Sequence, residues 1–165
     1  MEITALREND FEEWASVWKL YLEFYHTSLP EEQYRKTFSR IIDQDKDLNA
    51  LVARDEAGKI LGLSHYFKTA SAWSEKPHML LQDLYCLESA RGKGVGRALI
   101  DETVRRAKEA GCERSVYALL VNTGAYLKRH RLYWTTKADN KTARKLYDST
   151  DATCEFVVYR MPLKQ

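Results

Sequence analysis

Residues Leu80 to Ile100 constrain this chain more than any other stretch. An apolar run, Leu80-Leu81-Gln82-Asp83-Leu84-Tyr85-Cys86-Leu87, passes through Glu88-Ser89-Ala90 into Arg91-Gly92-Lys93-Gly94-Val95-Gly96-Arg97, and a helical pattern follows. A strand that enters a basic, glycine-punctuated turn and then a helix aims several backbone N–H groups at one point, where the helix dipole adds partial positive charge. Gly92, Gly94 and Gly96 permit positive φ and close approach of a ligand to the backbone. Arg91, Lys93 and Arg97 add mobile positive charge. The combination predicts a pocket for a pyrophosphate. The spacing is G-x-G-x-G, and no G-x-x-x-x-G-K-[ST] sequence occurs, which argues against a P-loop nucleotidase. On local physics alone, a solvated basic turn of an ordinary strand–turn–helix stays open.

The flanking segments supply a frame for this turn. Glu2–Leu6 reads as a strand. Asp10 and Glu13 are placed to form a capping box, ahead of Phe11, Trp14, Val17, Trp18, Tyr21, Leu22 and Tyr25 at helical spacing. Pro30 opens a second helix with Glu31 and Glu32 in its first turn and Tyr34, Phe38, Ile41 and Ile42 on its apolar face. Asp43, Asp45 and Asp47 break that helix. Asn49–Arg54 and Lys59–Phe67 read as strands joined by Asp55-Glu56-Ala57-Gly58, with Gly58 at the left-handed position. The helix from about Gly94 to Ala110 buries Val95, Ala98, Leu99, Thr103, Val104 and Ala107 and ends on Gly111. Leu132–Thr136 reads as a strand, Asp139–Asp148 as a short helix, and Phe156–Arg160 as a closing strand.

Arg91-Gly92-Lys93-Gly94-Val95-Gly96 resembles the [RQ]-x-x-G-x-[GA] pyrophosphate motif of the GNAT superfamily of N-acetyltransferases. Three more anchors are similar to its branch of histone, polyamine and D-amino-acid acetyltransferases. These are Gly62-Leu63-Ser64-His65-Tyr66-Phe67 followed by Ser71-x-Trp73, the N-x-x-A-x-x-[FL]-Y element at Asn140, Ala143, Leu146 and Tyr147, and the terminal strand. The resemblance covers most of the chain. It implies an α/β (α+β) GNAT fold over residues 1–165 as a single domain. Such a fold has a central mixed, mostly antiparallel twisted sheet of six to seven strands and about four helices. The sheet is splayed between the strand 80–87 and the strand 132–136. The first two helices and their joint would wall one side of an acceptor pocket.

One departure stands out. Relatives run almost directly from the Gly111–Arg114 region into the next strand, whereas roughly 17 residues, about 115–131, intervene here; helix-to-strand connections are usually 2–6 residues. Val116–Val121 reads as an extra strand and Asn122-Thr123-Gly124 as a turn. Asn122-x-x-Ala125 imitates the N-x-x-A element without the Leu-Tyr at the right offset, so Leu132–Thr136 takes the sheet position. The insertion should project from the end of the sheet away from the pyrophosphate, at a loop-closure cost that grows slowly with length. A lineage-specific hairpin and a translated in-frame intron both fit; the transcript sequence separates them.

The resemblance implies an N-acetyltransferase that moves acetyl from acetyl-CoA, its co-substrate, to a primary amine (a small amine, an amino acid or a lysine side chain) by direct attack in a ternary complex. Coenzyme contacts would come from Arg91, Gly92, Lys93, Gly94, Val95, Gly96 and Arg97, from the strand edge at Leu84, Tyr85 and Cys86, and from Asn140 and Ala143. The N–H near Cys86 would polarise the thioester carbonyl as an oxyanion hole does. Tyr147 matches the tyrosine that protonates the leaving thiolate; a phenol near pKa 10 carries its proton at neutral pH. An alkyl ammonium near pKa 10.4 must lose a proton first, roughly three units uphill at pH 7. Asp83 is the first choice of base, with Gln82 (through a water), His65 and Glu88 as alternatives. Polyamine acetyltransferases similar to this chain carry Glu-Asp where Gln82-Asp83 stands, which weakens a polyamine assignment. Tyr25, His65 and Gln82 are candidate acceptor contacts; His65 reads equally well as a packed strand histidine. A non-catalytic acyl-CoA sensor and a protein-lysine acetyltransferase are the competing readings.

A net charge of +2 demands neither nucleic acid nor membrane. Cys86, Cys112 and Cys154 form no C-x-x-C pair and the four histidines show no metal spacing, so no metal is expected. Met1-Glu2-Ile3-Thr4 lacks a basic, apolar targeting run, and the expected setting is a reduced cytoplasm, with the nucleus as a second location. Exposed sheet edges make a homodimer the expected assembly, if any.

Overall fold

A five-stranded sheet in the order β1-β2-β3-β4-β7 forms the frame of the computed structural model. Its strands are β1 (Glu2–Ala5), β2 (Asn49–Arg54), β3 (Ile60–Thr69), β4 (His78–Cys86) and β7 (Leu132–Tyr133). The structure describes residues 1–43, 48–72, 74–112, 114–115, 128–129, 132–150, 152 and 154. Helices α1 (Phe11–Phe24), α2 (Glu31–Ile42), α3 (Val95–Glu109) and α4 (Lys141–Asp148) complete it, with a short ladder between β5 (Arg114–Ser115) and β6 (Lys128–Arg129). The chain divides after Tyr133, and α4 lies in the second unit, residues 134–165.

Pairing is antiparallel from β1 to β4, and β4 meets β7 in parallel. The apolar stripe of α1 behaves as its spacing requires. Trp14, Val17, Trp18 and Leu22 are buried with Tyr34 and Ile41 of α2 and with Ala50, Val52, Ile60 and Leu63 of the sheet. Each fully buried aliphatic or aromatic side chain of this kind stabilises the fold by about 1.5–3 kcal/mol. On the other face lies α3, whose Val95, Leu99, Ile100, Thr103 and Ala107 are buried. Gly62 marks its closest approach. A Cβ there would sit 2.6 Å from the Tyr85 carbonyl oxygen and 3.1 Å from Val95 Cγ1, so only glycine lets β3, β4 and α3 meet.

The predicted capping box at Asp10 and Glu13 does not form. The Asp10 side chain makes no cap bond to α1. Its carboxylate accepts from the Arg7 N–H and from the buried Arg54 guanidinium, while Glu13 accepts from the Ile60 N–H at 2.8 Å. A buried guanidinium outcompetes a helix amide for a carboxylate because its charge has no water to turn to. Elsewhere local chemistry prevails. Gly58 has φ +84°, and the Asp55 carboxylate accepts from the N–H groups of Ala57 and Lys59. Gly111 (φ +68°) closes α3, where the Cys112 N–H reaches the Ala107 carbonyl, the 6→1 bond of a Schellman ending.

The strand expected over 132–136 is shorter: only Leu132 and Tyr133 pair, with Met79 and Leu80. The pairing nonetheless places β7 beside β4, and it confines contact to the start of β4. From Leu81 to Cys86 no strand among the described residues pairs with that edge, which is the expected splay. The chain re-enters the sheet beside Met79, at the end of β4 remote from the Arg91 turn. The readings of Val116–Val121 as a strand, Asn122–Gly124 as a turn and Phe156–Arg160 as a strand lie outside the described residues, as do Asp45, Asp47 and Trp73.

Candidate active site

The turn after β4 has the geometry its glycines imply. A single 3-10 turn (Glu88–Ala90) buries Ala90 and carries the chain to Arg91. Gly92 (φ +74°) and Gly94 (φ +82°) are both left-handed, and Gly94 is the N-cap of α3. A Cβ at either would meet nothing within 4 Å, so the space above the turn is open and backbone strain alone demands glycine. Gly96 differs from the expectation: it lies inside α3 without positive φ. The first N–H groups of α3 point out of the helix start without intrahelical acceptors. Arg91, Lys93 and Arg97 are exposed around them. Arg91 rests 5.9 Å from the Tyr85 ring centroid and pairs with Glu88 at 3.1 Å; Arg97 pairs with Asp101. Cations held this loosely can re-pair with a phosphate at little cost.

Beside this turn opens a cleft of about 510 Å³ lined by Leu20, Phe24, Tyr85, Leu87, Glu88, Ser89 and Arg91. Behind the lining, Tyr85 packs edge-on to Tyr21 at 6.2 Å, and Tyr21 edge-on to Tyr25 at 5.0 Å. Leu20 and Phe24 were not anticipated as site residues. Their signal was in the sequence, because two apolar residues at i and i+4 fall off the buried stripe of α1 and remain 41% and 48% exposed.

His65 takes the packed reading of the two left open for it, and Asp83 is buried with it. They lie on the sheet face covered by α1, His65 at 2% and Asp83 at 5% exposure. His65 Nδ1 lies 2.8 Å from the Asp83 carboxylate, and the Trp14 indole N–H donates to His65 Nε2 at 3.0 Å. An indole N–H can only donate, so Nε2 carries the lone pair and Nδ1 carries the proton. Neither ring nitrogen is open to an incoming amine, and the Asp83 carboxylate already holds the imidazole proton. That geometry runs against Asp83 or His65 as a direct base. Gln82 faces outward, and the His65↔Asp83 and Tyr66↔Leu81 pairs leave it as the extra residue of a β-bulge. Glu88 is exposed and paired with Arg91.

Leu84, Tyr85 and Cys86 are half-buried; they pair with β3 on one side, and no described strand pairs with their other edge. Burial pushes the Cys86 thiol up to about 11, with Arg91 pulling the other way. The thiolate is the reactive form, so Cys86 is a poor nucleophile at neutral pH. Iodoacetamide at pH 8 is expected to label the exposed Cys154 well before Cys86, because burial lowers both the thiolate population and the access of Cys86. Peptide mapping over time checks this; equal rates would contradict the burial argument.

In the second unit, Asn140 caps α4. Its Oδ1 accepts from the Ala143 N–H and its Nδ2 donates to Thr136 Oγ1, both at 3.2 Å. The expected coenzyme contacts of Asn140 and Ala143 therefore coincide with a helix cap. Tyr147 is half-buried, its ring 5.1 Å from that of Trp134. No cluster of potential metal ligands occurs among the described residues. None of the described helices is long and apolar enough to cross a membrane.

Comparison with known proteins agrees with this arrangement. The acetyltransferase (GNAT) family model matches residues 14–129. D-amino-acid N-acetyltransferase HPA3 of Saccharomyces cerevisiae is 32% identical over 96% of this chain and 88% of its own length. Among solved structures, a probable acetyltransferase superposes with TM-score 0.77 at 24% identity, covering 100% of this chain and 99% of its own. The aminoglycoside acetyltransferase AAC(6')-Iy, in complex with a bisubstrate analogue, reaches TM-score 0.72 at 18% identity, covering 98% of each chain. This chain belongs to the GNAT acetyltransferase family. It is an enzyme of the acyltransferase class.

Proposed function

We propose that the protein is an acetyl-CoA-dependent N-acetyltransferase whose acceptor is a primary amine, with amino acids of either hand as the first class to test. The observation that carries the coenzyme half is the open, doubly left-handed Gly92–Gly94 turn at the start of α3. It sits among exposed cations and directly follows the edge of β4 that no described strand pairs with. The acceptor class takes its support from the D-amino-acid N-acetyltransferase similar to this chain, and from a cleft whose apolar floor and Arg91 rim suit an apolar side chain beside a carboxylate.

On this reading both units form one catalytic domain, supported by a family match and a relative that together span nearly the whole chain. The turn holds the pyrophosphate. Backbone groups of Leu84–Cys86 receive the pantetheine arm and polarise the carbonyl. The amine nitrogen bonds to the acetyl carbon, the C–S bond breaks, the thiolate takes a proton from Tyr147, and the nitrogen gives its proton to water near Gln82.

Gly94→Val is expected to abolish coenzyme binding, because a β-branched residue at φ +82° costs about 1–3 kcal/mol and the turn would leave its conformation. Titration calorimetry with coenzyme A checks this, and wild-type affinity would refute the cradle. The function itself is tested by acetyl-CoA consumption with amino acids of both hands, polyamines and histone-tail peptides. Coenzyme binding without turnover on any acceptor would favour the acyl-CoA sensor. Turnover on peptides alone would favour the protein-lysine enzyme.

A further inference from the structure

We propose that the buried Trp14–His65–Asp83 chain is a positioning device that locks the bulge at Gln82 and so sets the bend of β4 beside the acetyl-transfer site. The inference rests on the functional reading above only for its consequence in catalysis, not for the bonding itself.

The sheet gives the bulge its importance. β4 leaves its parallel partner after Leu80, and the extra residue follows at once at Gln82. A bulge bends its strand and increases local twist. This one therefore turns Leu84, Tyr85 and Cys86 away from β7 at the point where the edge must open. A bulge has competitors, however. A strand slipped by one residue would recover a regular ladder and move every following side chain to the opposite face. In that register Asp83 would lose its place opposite His65.

Two hydrogen bonds in series and a ring contact oppose the slip. His65 and Asp83 are cross-strand partners, and their side chains meet at 2.8 Å. Trp14 anchors the imidazole from α1 at 3.0 Å, and the Trp18 ring stands perpendicular to it at 5.2 Å. The groups facing His65 are thus Asp83 from β4 and Trp14 and Trp18 from α1. Tyr34 of α2 packs against both tryptophans. Protonation at Nε2 would point two N–H groups at each other, so the bonding pattern requires neutral imidazole. With its carboxylate buried and engaged, Asp83 acts on the reaction through the strand. Any slip or relaxation displaces the carbonyl-polarising backbone, and a displacement of about 1 Å at such a site costs roughly 10²-fold in rate.

The pair of variants Asp83→Asn and Asp83→Ala tests this. Asparagine retains an oxygen that accepts from His65 Nδ1–H, whereas alanine does not. The expected result is kcat for Asp83→Asn within tenfold of wild type, and kcat for Asp83→Ala lower by about 10²-fold, with KM for acetyl-CoA little changed. Near-UV circular dichroism verifies that both fold. If Asp83→Asn, folded, loses 10²-fold or more while its His65 tautomer matches wild type, Asp83 is the base and the proposal is overturned. Nitrogen-15 NMR of wild-type His65 gives a readout that needs neither variant nor activity. Protonated Nδ1 and bare Nε2 are expected at the pH of the activity assay; Nε2–H or imidazolium there would overturn the chain of bonds. Should wild type transfer no acetyl group to any amine, the functional reading fails, while the tautomer still decides the bonding.

Discussion

Asp10→Ala is expected to lower stability by about 3–5 kcal/mol, the range for breaking a buried ion pair from one side. The Arg54 guanidinium is 6% exposed and its charge is met by the Asp10 carboxylate; Thr4 Oγ1 at 3.1 Å and the Gly58 carbonyl at 3.2 Å are neutral acceptors. Alanine leaves that charge buried with dipoles only. Were Asp10 simply a helix cap, its removal would cost about 1 kcal/mol, so the size of the loss separates the two roles. Urea unfolding followed by circular dichroism measures it. The double variant Asp10→Ala with Arg54→Met should regain most of the loss, because the buried charge goes with its partner. A single-variant loss of 1 kcal/mol or less, or no recovery in the double, would show that Arg54 finds water instead.

Tyr147→Phe is expected to reduce kcat by 10²–10⁴ with little change in coenzyme affinity, the usual contribution of a general acid. Each tenfold is 1.36 kcal/mol of barrier. Phenylalanine keeps the ring that packs on Trp134 and removes only the hydroxyl. The thiolate exists only late in the reaction, so the loss belongs in kcat and not in ground-state binding. Steady-state kinetics with acetyl-CoA as the varied substrate reads both. Unchanged turnover would remove Tyr147 from the chemistry.

Much of the frame was legible because it depends on neighbours in sequence. Period 3.6 in α1 and α3, the left-handed glycines at 58, 92, 94 and 111, and the strand that runs into Arg91 follow from backbone sterics and side-chain spacing. The GNAT resemblance was readable for the same reason: its motifs are local. Local reading runs out where a residue has two partners to choose between. Asp10 could cap α1 or neutralise Arg54, and nothing between positions 10 and 54 says that they meet. Asn140, implied as a coenzyme contact, also caps its own helix. Asp83 alternates along β4 like any strand residue, and a one-residue bulge decides which face it joins.

The Leu80–Ile100 stretch shows both halves of this. By itself the sequence determined that a strand enters a basic, glycine-rich turn and a helix, since three glycines and three cations within seven residues mark a turn that opens a helix. Only the tertiary structure decided what the strand's polar residues do. Asp83 is buried because His65, held by Trp14, lies across from it, and Gln82 is outside because the ladder skips it. A buried carboxylate goes to the donor that compensates its desolvation, and that donor comes from another strand.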